Sequence, residues 1–182
     1  TASKEKAFQA WLKTFAAGAR KAGISARTIR VAFRGVKYNP RIIAFDNYQP
    51  EFVKPIGDYI TRRTKPEDVA RGRAEMRKYP ALFRRLGKTY GVQPEYVVAI
   101  WRLESNYGAN FGTFDVIEAV ATLAFDGRRK GFWSSELLEA LRILQAGHVS
   151  RKRMIGSWAG AMGHTQFIPS SYLRRAVDFD GD

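Results

Sequence analysis

The 182-residue chain has no cysteine, which excludes disulfides, a cysteine-held iron–sulfur cluster and a thiol nucleophile, and leaves the compartment open. Histidine is scarce. His148 and His164 stand 16 positions apart with no further soft ligands, so no zinc site is expected and no metal or cofactor is assigned. No stretch approaches the roughly 18 uninterrupted apolar residues of a membrane span. Thr1 begins no basic-then-apolar leader, so any signal peptide is expected to have been removed or never to have existed. Alternating strand patterns are nearly absent, and internal repeats and low-complexity tracts are missing, which points to a mainly α fold with at most a small hairpin in the loops. Acidic residues are thin in the first half: residues 1–90 carry 21 Lys+Arg against 7 Asp+Glu, whereas residues 91–182 carry 10 of each.

What is present is a globular composition, 45% hydrophobic and 13% aromatic, which excludes intrinsic disorder and suits one large or two small domains. A chain of this length buries about two thirds of its unfolded surface without staples. The net charge of +14 attracts polyanions and governs encounter rather than fold. On composition alone nucleic acid is the first expected partner, with an anionic membrane or an acidic wall polymer behind it.

The apolar spacing predicts a helix from Ser3 through Ala19, stopped by Gly23, and a second capped by Ser25, with Ile24 stapled to Ile29. Asn39-Pro40 reads as the end of that unit. Residues 40–65, with Pro40, Pro50, Pro55 and Gly57, read as a connection holding at most a short helix from Phe52 to Arg62. Pro66 opens the next helix, which Pro80 must kink or split because proline lacks an N–H and clashes with the preceding turn. Further helices are expected from Pro94, from Thr113 or Phe114, from Ser134 or Ser135 to Gly147, and near Pro169.

In the helix opened by Pro94, Val97, Ile100, Trp101 and Glu104 follow one another at helical steps, so Glu104 is expected to end an apolar face. A carboxyl held against Trp and Ile loses hydration and favours its neutral form, the requirement for a general acid. Gly108 is a natural cap, which places Glu104 in the last turn, where the helix dipole further disfavours negative charge. The same spacing is met by a buried Glu satisfied by a backbone N–H or an Arg, so spacing alone does not decide. A second signal is the run from Gly156 to Pro169, whose glycines allow close backbone approach and whose Ser157, His164, Thr165 and Gln166 suit a neutral, hydroxyl-rich ligand, or simply a tight loop feeding a helix. It lacks the Gly-Lys-Ser/Thr ending of a phosphate loop.

Arg102-Leu103-Glu104-Ser105-Asn106-Tyr107-Gly108, then Glu118 to Phe125, then Arg128-Arg129, then Gly156 to Tyr172, resemble the B-type lytic murein transglycosylases in order and spacing. The similarity is dense from Tyr90 to Asp182 and thinner before it, although Gln49-Pro50-Glu51-Phe52 also resembles that family's upstream region. The resemblance implies a mainly α, lysozyme-like helical core with an N-terminal helical extension and little β structure. It implies cleavage of the β-1,4 bond between N-acetylmuramic acid and N-acetylglucosamine in peptidoglycan, with a 1,6-anhydro product. Carried over by position, Glu104 is the single catalytic acid/base, Ser157 and Gln166 line the sugar cleft, and Arg128 and Arg129 lie near peptide or sugar. Tyr107, within the motif, is expected to contact substrate, and Tyr107 and Trp158 have rings that can stack on sugars.

One carboxyl suffices for this chemistry, whereas ordinary glycosidases use two. The domains expected are a basic helical region over 1–65 and the lysozyme-like catalytic core over 66–182, truncated at its C-terminus. The truncation is expected because Asp178, Asp180 and Asp182 resemble the start of a calcium loop that stops short of its later ligands, so no metal is expected. The expected partners are peptidoglycan glycan strands, together with other cell-wall enzymes, for a monomer in the bacterial periplasm or cell envelope. A hydrolytic muramidase and a non-catalytic wall- or nucleic-acid-binding module are the alternatives. Nucleic acid itself is set aside, because the charge surplus and the motif-bearing half do not coincide.

Overall fold

A computed structural model describes residues 2–48, 55–179 and 181, with Tyr59 described for its backbone alone. The chain divides by contacts into two compact units. One comprises Thr1–Tyr48, Gly112–Met162 and Gln166–Asp182, the other Gln49–Phe111 and Gly163–Thr165. This division runs differently from a boundary at residue 65, because the N-terminal helices bury their apolar faces in the same core as the later helices.

The first unit contains α1 (Ala2–Lys21), α2 (Ala26–Phe33), α3 (Pro40–Asn47), a two-stranded antiparallel sheet of β1 (Phe114–Asp115) and β2 (Ile155–Gly156), and α8 (Val116–Asp126), α9 (Lys130–Ala146) and α10 (Pro169–Arg175). Its hub is α8, buried on nearly all sides from Val116 to Ala124, as befits a helix without a polar face. Packed on it are α9, through Trp133, Leu137, Ala140 and Leu141, and α1, through Phe8 and Leu12. Each such large side chain fully buried contributes about 1.5–3 kcal/mol. Asp126, at the end of α8, accepts from the Tyr38 hydroxyl at 2.5 Å and pairs with Lys4 Nζ at 2.7 Å, fastening the start of α1.

Local chemistry sets most of these ends. Ser25 caps α2 by accepting from Thr28 N, and Gly147, at φ 80, closes α9. Several expectations shift. α1 begins at Ala2, so Ser3 lies inside it. Asn39-Pro40 starts a helix instead of ending a unit, since the Asn39 side chain accepts from Arg41 N and Pro40 fills the first helical position. α8 begins at Val116, where Asp115 Oδ1 accepts from Glu118 N at 2.9 Å, and α9 begins at Lys130, ahead of Ser134.

The second unit contains α4 (Ile56–Arg63), α5 (Pro66–Lys78), α6 (Pro80–Tyr90) and α7 (Pro94–Ser105). Of the helix expected from Phe52 to Arg62, Phe52 lies outside the described residues, and α4 begins at Ile56, after Pro55. Pro80 splits α5 from α6 at Tyr79, as its missing N–H demands, and Gly91 at φ 66 ends α6. The core is small: Phe83, Val98 and Tyr107, with Met76, Leu86, Val97 and Trp101 packed around them. A recess of about 320 Å³ lies against α4, α5 and α7, lined among others by Val69, Met76, Val98 and Leu103.

Candidate active site

The last turn of α7 carries Glu104, and the backbone then turns abruptly. Asn106, Tyr107 and Gly108 are consecutively left-handed, with φ of 51°, 59° and 80°. Such a conformation costs a non-glycine residue on the order of 1 kcal/mol or more and persists where its surroundings hold it. Here they do. Asn106 N donates to Arg102 O and Tyr107 N to Trp101 O, while Arg71 donates to both Asn106 Oδ1 and its carbonyl. The Tyr107 hydroxyl donates to Asp68 O at 2.9 Å, its ring meets Trp101 edge-on at 5.5 Å, and the Arg71 guanidinium lies 4.8 Å from the ring centroid. Burial raises the Tyr107 hydroxyl above its ordinary pKa. This ring, expected against substrate, is thus enclosed within the unit and braces the turn after Glu104.

Glu104 itself is exposed, and so are Ile100 and Leu103 beside it. The expectation that Glu104 ends a buried apolar face is corrected: the face α7 buries runs through Val98 and Ser105, with Trp101 and Arg102 half-buried beside it. The reason lies outside the helix. Arg102 Nε donates to Asp68 Oδ1 at 2.8 Å and Nη2 pairs with Oδ2 at 2.6 Å, which turns that side of α7 towards α5 and leaves Glu104 open. The hydrogen bond from Arg102 holds the Asp68 carboxyl below its ordinary pKa and raises that of the guanidinium. Glu104 does not line the recess against α4, α5 and α7.

Of the other expected residues, Ser157, Gln166, Arg128 and Arg129 belong to the first unit, and His164 and Thr165 to the second. Ser157 sits at the head of the glycine-bearing loop, where its N–H donates to Ala161 O at 2.8 Å and its Oγ accepts from Ala159 N and Ala161 N. Met162 and Phe167 exchange backbone hydrogen bonds of 2.9 and 3.0 Å, and Gln166 next to them is left-handed at φ 47. Arg128 serves Asp46: its backbone N–H and its Nε approach Asp46 Oδ2 at 3.2 and 3.5 Å, and its Nη2 donates to the Asp46 carbonyl. The Arg129 guanidinium lies 5.0 Å from the Phe132 ring centroid and 5.5 Å from that of Trp133. Trp158 stacks on Phe45 at 6.1 Å.

The sequence reading passed over two carboxylates that this unit buries, Asp46 and Glu136. Glu136 Oε2 accepts from Ser170 N at 2.9 Å and so caps α10 from a distance. Its signal was present, since Glu136 falls three residues after Trp133 and four before Ala140 on the apolar face of α9. Asp180 and Asp182 lie outside the described residues, as do Gln49 to Phe52; among the described residues no cluster of His, Asp and Glu has the makings of a metal site.

A family model described as a Transglycosylase SLT domain matches residues 7–182. The chain is 37% identical over 132 residues to membrane-bound lytic murein transglycosylase B of Escherichia coli K12, covering 70% of this chain and 37% of that protein. In structure it is similar to SltB3 of Pseudomonas aeruginosa in complex with NAG-NAM-pentapeptide, with a TM-score of 0.92 and 44% identity over 96% of this chain and 47% of that one. The same protein in complex with NAG-anhNAM-pentapeptide gives a TM-score of 0.91 at the same identity and coverage. The chain therefore spans less than half the length of these relatives. The mainly helical architecture with one small sheet is that of their lysozyme-like fold. On this family match and these identities, the chain belongs to the lytic murein transglycosylase family.

Proposed function

We propose that the chain cleaves the β-1,4 bond between N-acetylmuramic acid and N-acetylglucosamine in peptidoglycan, with Glu104 as the sole acid/base and a 1,6-anhydro sugar as product. The observation that carries this reading is the likeness to SltB3, whose complexes hold NAG-NAM-pentapeptide and an anhydro form of that ligand. Glu104 protonates the glycosidic oxygen as the bond to C1 breaks, and the N-acetyl group of the substrate supports the developing cation. The Glu104 carboxylate then takes the C6 hydroxyl proton as O6 bonds to C1. Glu104 regains its proton and no water is consumed. An internal hydroxyl is easier to position than a free water.

The exposure of Glu104 gives the substrate a part in this. Ile100 and Leu103 are exposed beside the carboxyl, so a glycan lying over this face covers apolar side chains and excludes water around it. Ser157 and Gln166 contribute polar groups to the sugar cleft, and Arg129, with Arg128 beside it, meets the anionic peptide stem. The basic charge of the chain suits a wall polymer, and the site of action is the periplasm or cell envelope. Among the described residues no helix is long and apolar enough to cross a membrane.

Digestion of purified peptidoglycan by this chain and by Glu104→Gln, read by mass spectrometry, tests the reading. Anhydro-muropeptides from the parent and none from the variant are expected. Reducing-end products would make it a muramidase, and no product from a folded parent would leave a binding module.

A further inference from the structure

His164 is tied to α7 through both its side chain and its backbone. Its Nδ1 accepts the Trp101 indole N–H at 2.9 Å, so the proton of the neutral ring sits on Nε2. Its carbonyl accepts the Ser105 hydroxyl at 2.8 Å. That same Ser105 oxygen accepts the Gly108 N–H at 3.1 Å, which closes the left-handed turn onto the helix. The imidazole also fits the turn sterically: a Cβ on Gly108 would lie 2.5 Å from its Cε1, so residue 108 leaves room for this ring only as glycine. Phe111 meets the ring edge-on at 4.9 Å.

Trp101 and Ser105 are four residues apart, on one side of the last turn, and Glu104 lies between them in sequence on the adjoining open side. A helix end ordinarily frays, and an exposed carboxyl on it samples many positions. Here the turn is pinned at Trp101 and at Ser105 by one residue.

We propose that His164 is a positioning residue for Glu104: by accepting from Trp101 through Nδ1 and from Ser105 through its carbonyl, it fixes the helix turn from which the carboxyl reaches the glycosidic oxygen. The catalytic half of this statement rests on the function proposed for Glu104; the structural half does not. His164 does no proton transfer in this role. What it supplies is an acceptor at the Nδ1 position, which Asn offers with its amide oxygen and Phe cannot, although Phe retains the ring against Gly108 and Phe111.

The test compares the 182-residue chain with His164→Phe and His164→Asn by two readouts. The first is NMR of the Trp101 indole N–H, assigned with Trp101→Phe, together with amide exchange from Arg102 to Tyr107. The Phe variant is expected to shift the indole signal and to speed exchange about tenfold in this turn alone, and Asn to restore both, as loss and return of one hydrogen bond require. The second is anhydro-muropeptide release, where kcat falls about tenfold in Phe with KM unchanged and recovers in Asn. An unmoved indole signal, unchanged exchange, or equal losses of kcat in Phe and Asn would overturn the proposal. If the exchange pattern is as expected while the parent releases no anhydro sugar, the pinned turn stands and the reading of Glu104 falls.

Discussion

Arg102 holds Asp68 in a two-pronged grip, Nε to Oδ1 at 2.8 Å and Nη2 to Oδ2 at 2.6 Å, and this pair ties that side of α7 to α5. The bond lowers the Asp68 pKa, so the carboxyl stabilises the fold above its unfolded-state pKa, and that contribution is lost as pH falls through the lower folded-state value. Asp68→Asn is therefore expected to lower the melting temperature near neutral pH and to match the parent in acid. Thermal unfolding followed across pH checks this; a gap that stays constant down to the lowest pH would refute it.

Glu104→Gln is expected to reduce anhydro-muropeptide release by about 10²–10⁴-fold, the usual worth of a positioned acid. Because Glu104 is exposed, the same variant is expected to unfold within about 0.5 kcal/mol of the parent. Loss of product with a large loss of stability would mean that the carboxyl holds the fold, contrary to its exposure.

Arg128 and Arg129 are neighbours with different duties. Arg128→Ala leaves the buried Asp46 carboxylate without its guanidinium and is expected to cost about 1–3 kcal/mol, whereas Arg129→Ala removes ring contacts at the surface and is expected to cost under about 1 kcal/mol. Urea unfolding of the two variants separates them, and equal costs would contradict the assignment. On peptide-bearing glycan, Arg129→Ala is expected to raise KM.

Gly112 lies at φ 86 where β1 meets β2, and a Cβ there would sit 2.1 Å from Gly156 O. Both the left-handed backbone and the contact with a carbonyl oppose a side chain. Gly112→Ala is expected to cost about 3 kcal/mol or more. A variant that melts like the parent by circular dichroism would show that the sheet shifts to make room.

By itself the sequence determined the parts whose causes are local. Pro80 splitting α5 from α6, Ser25 capping α2, Pro94 and Pro169 opening α7 and α10, and Gly147 closing α9 depend on backbone geometry and on neighbours within a turn. The motif around Glu104 and the glycine-bearing loop were legible for the same reason, as short runs of residues. The open side on which Glu104 falls was not, because Val97-Ile100-Trp101-Glu104 and Val98-Trp101-Ser105 are both acceptable helical stripes. Tertiary partners choose between them, among them Asp68, 34 residues before Arg102, and Phe83 against Val98. Asn39-Pro40 was equally ambiguous, since the residues that break one helix also begin another, and burial of Ile42 and Asp46 resolves it in favour of α3. The engagement of His164 with Trp101 and Ser105, and of Arg128 with Asp46, spans 59 to 82 residues of chain. Pairings at that distance leave no periodic trace in a sequence, and they are settled when the packed helices bring one donor and one acceptor together.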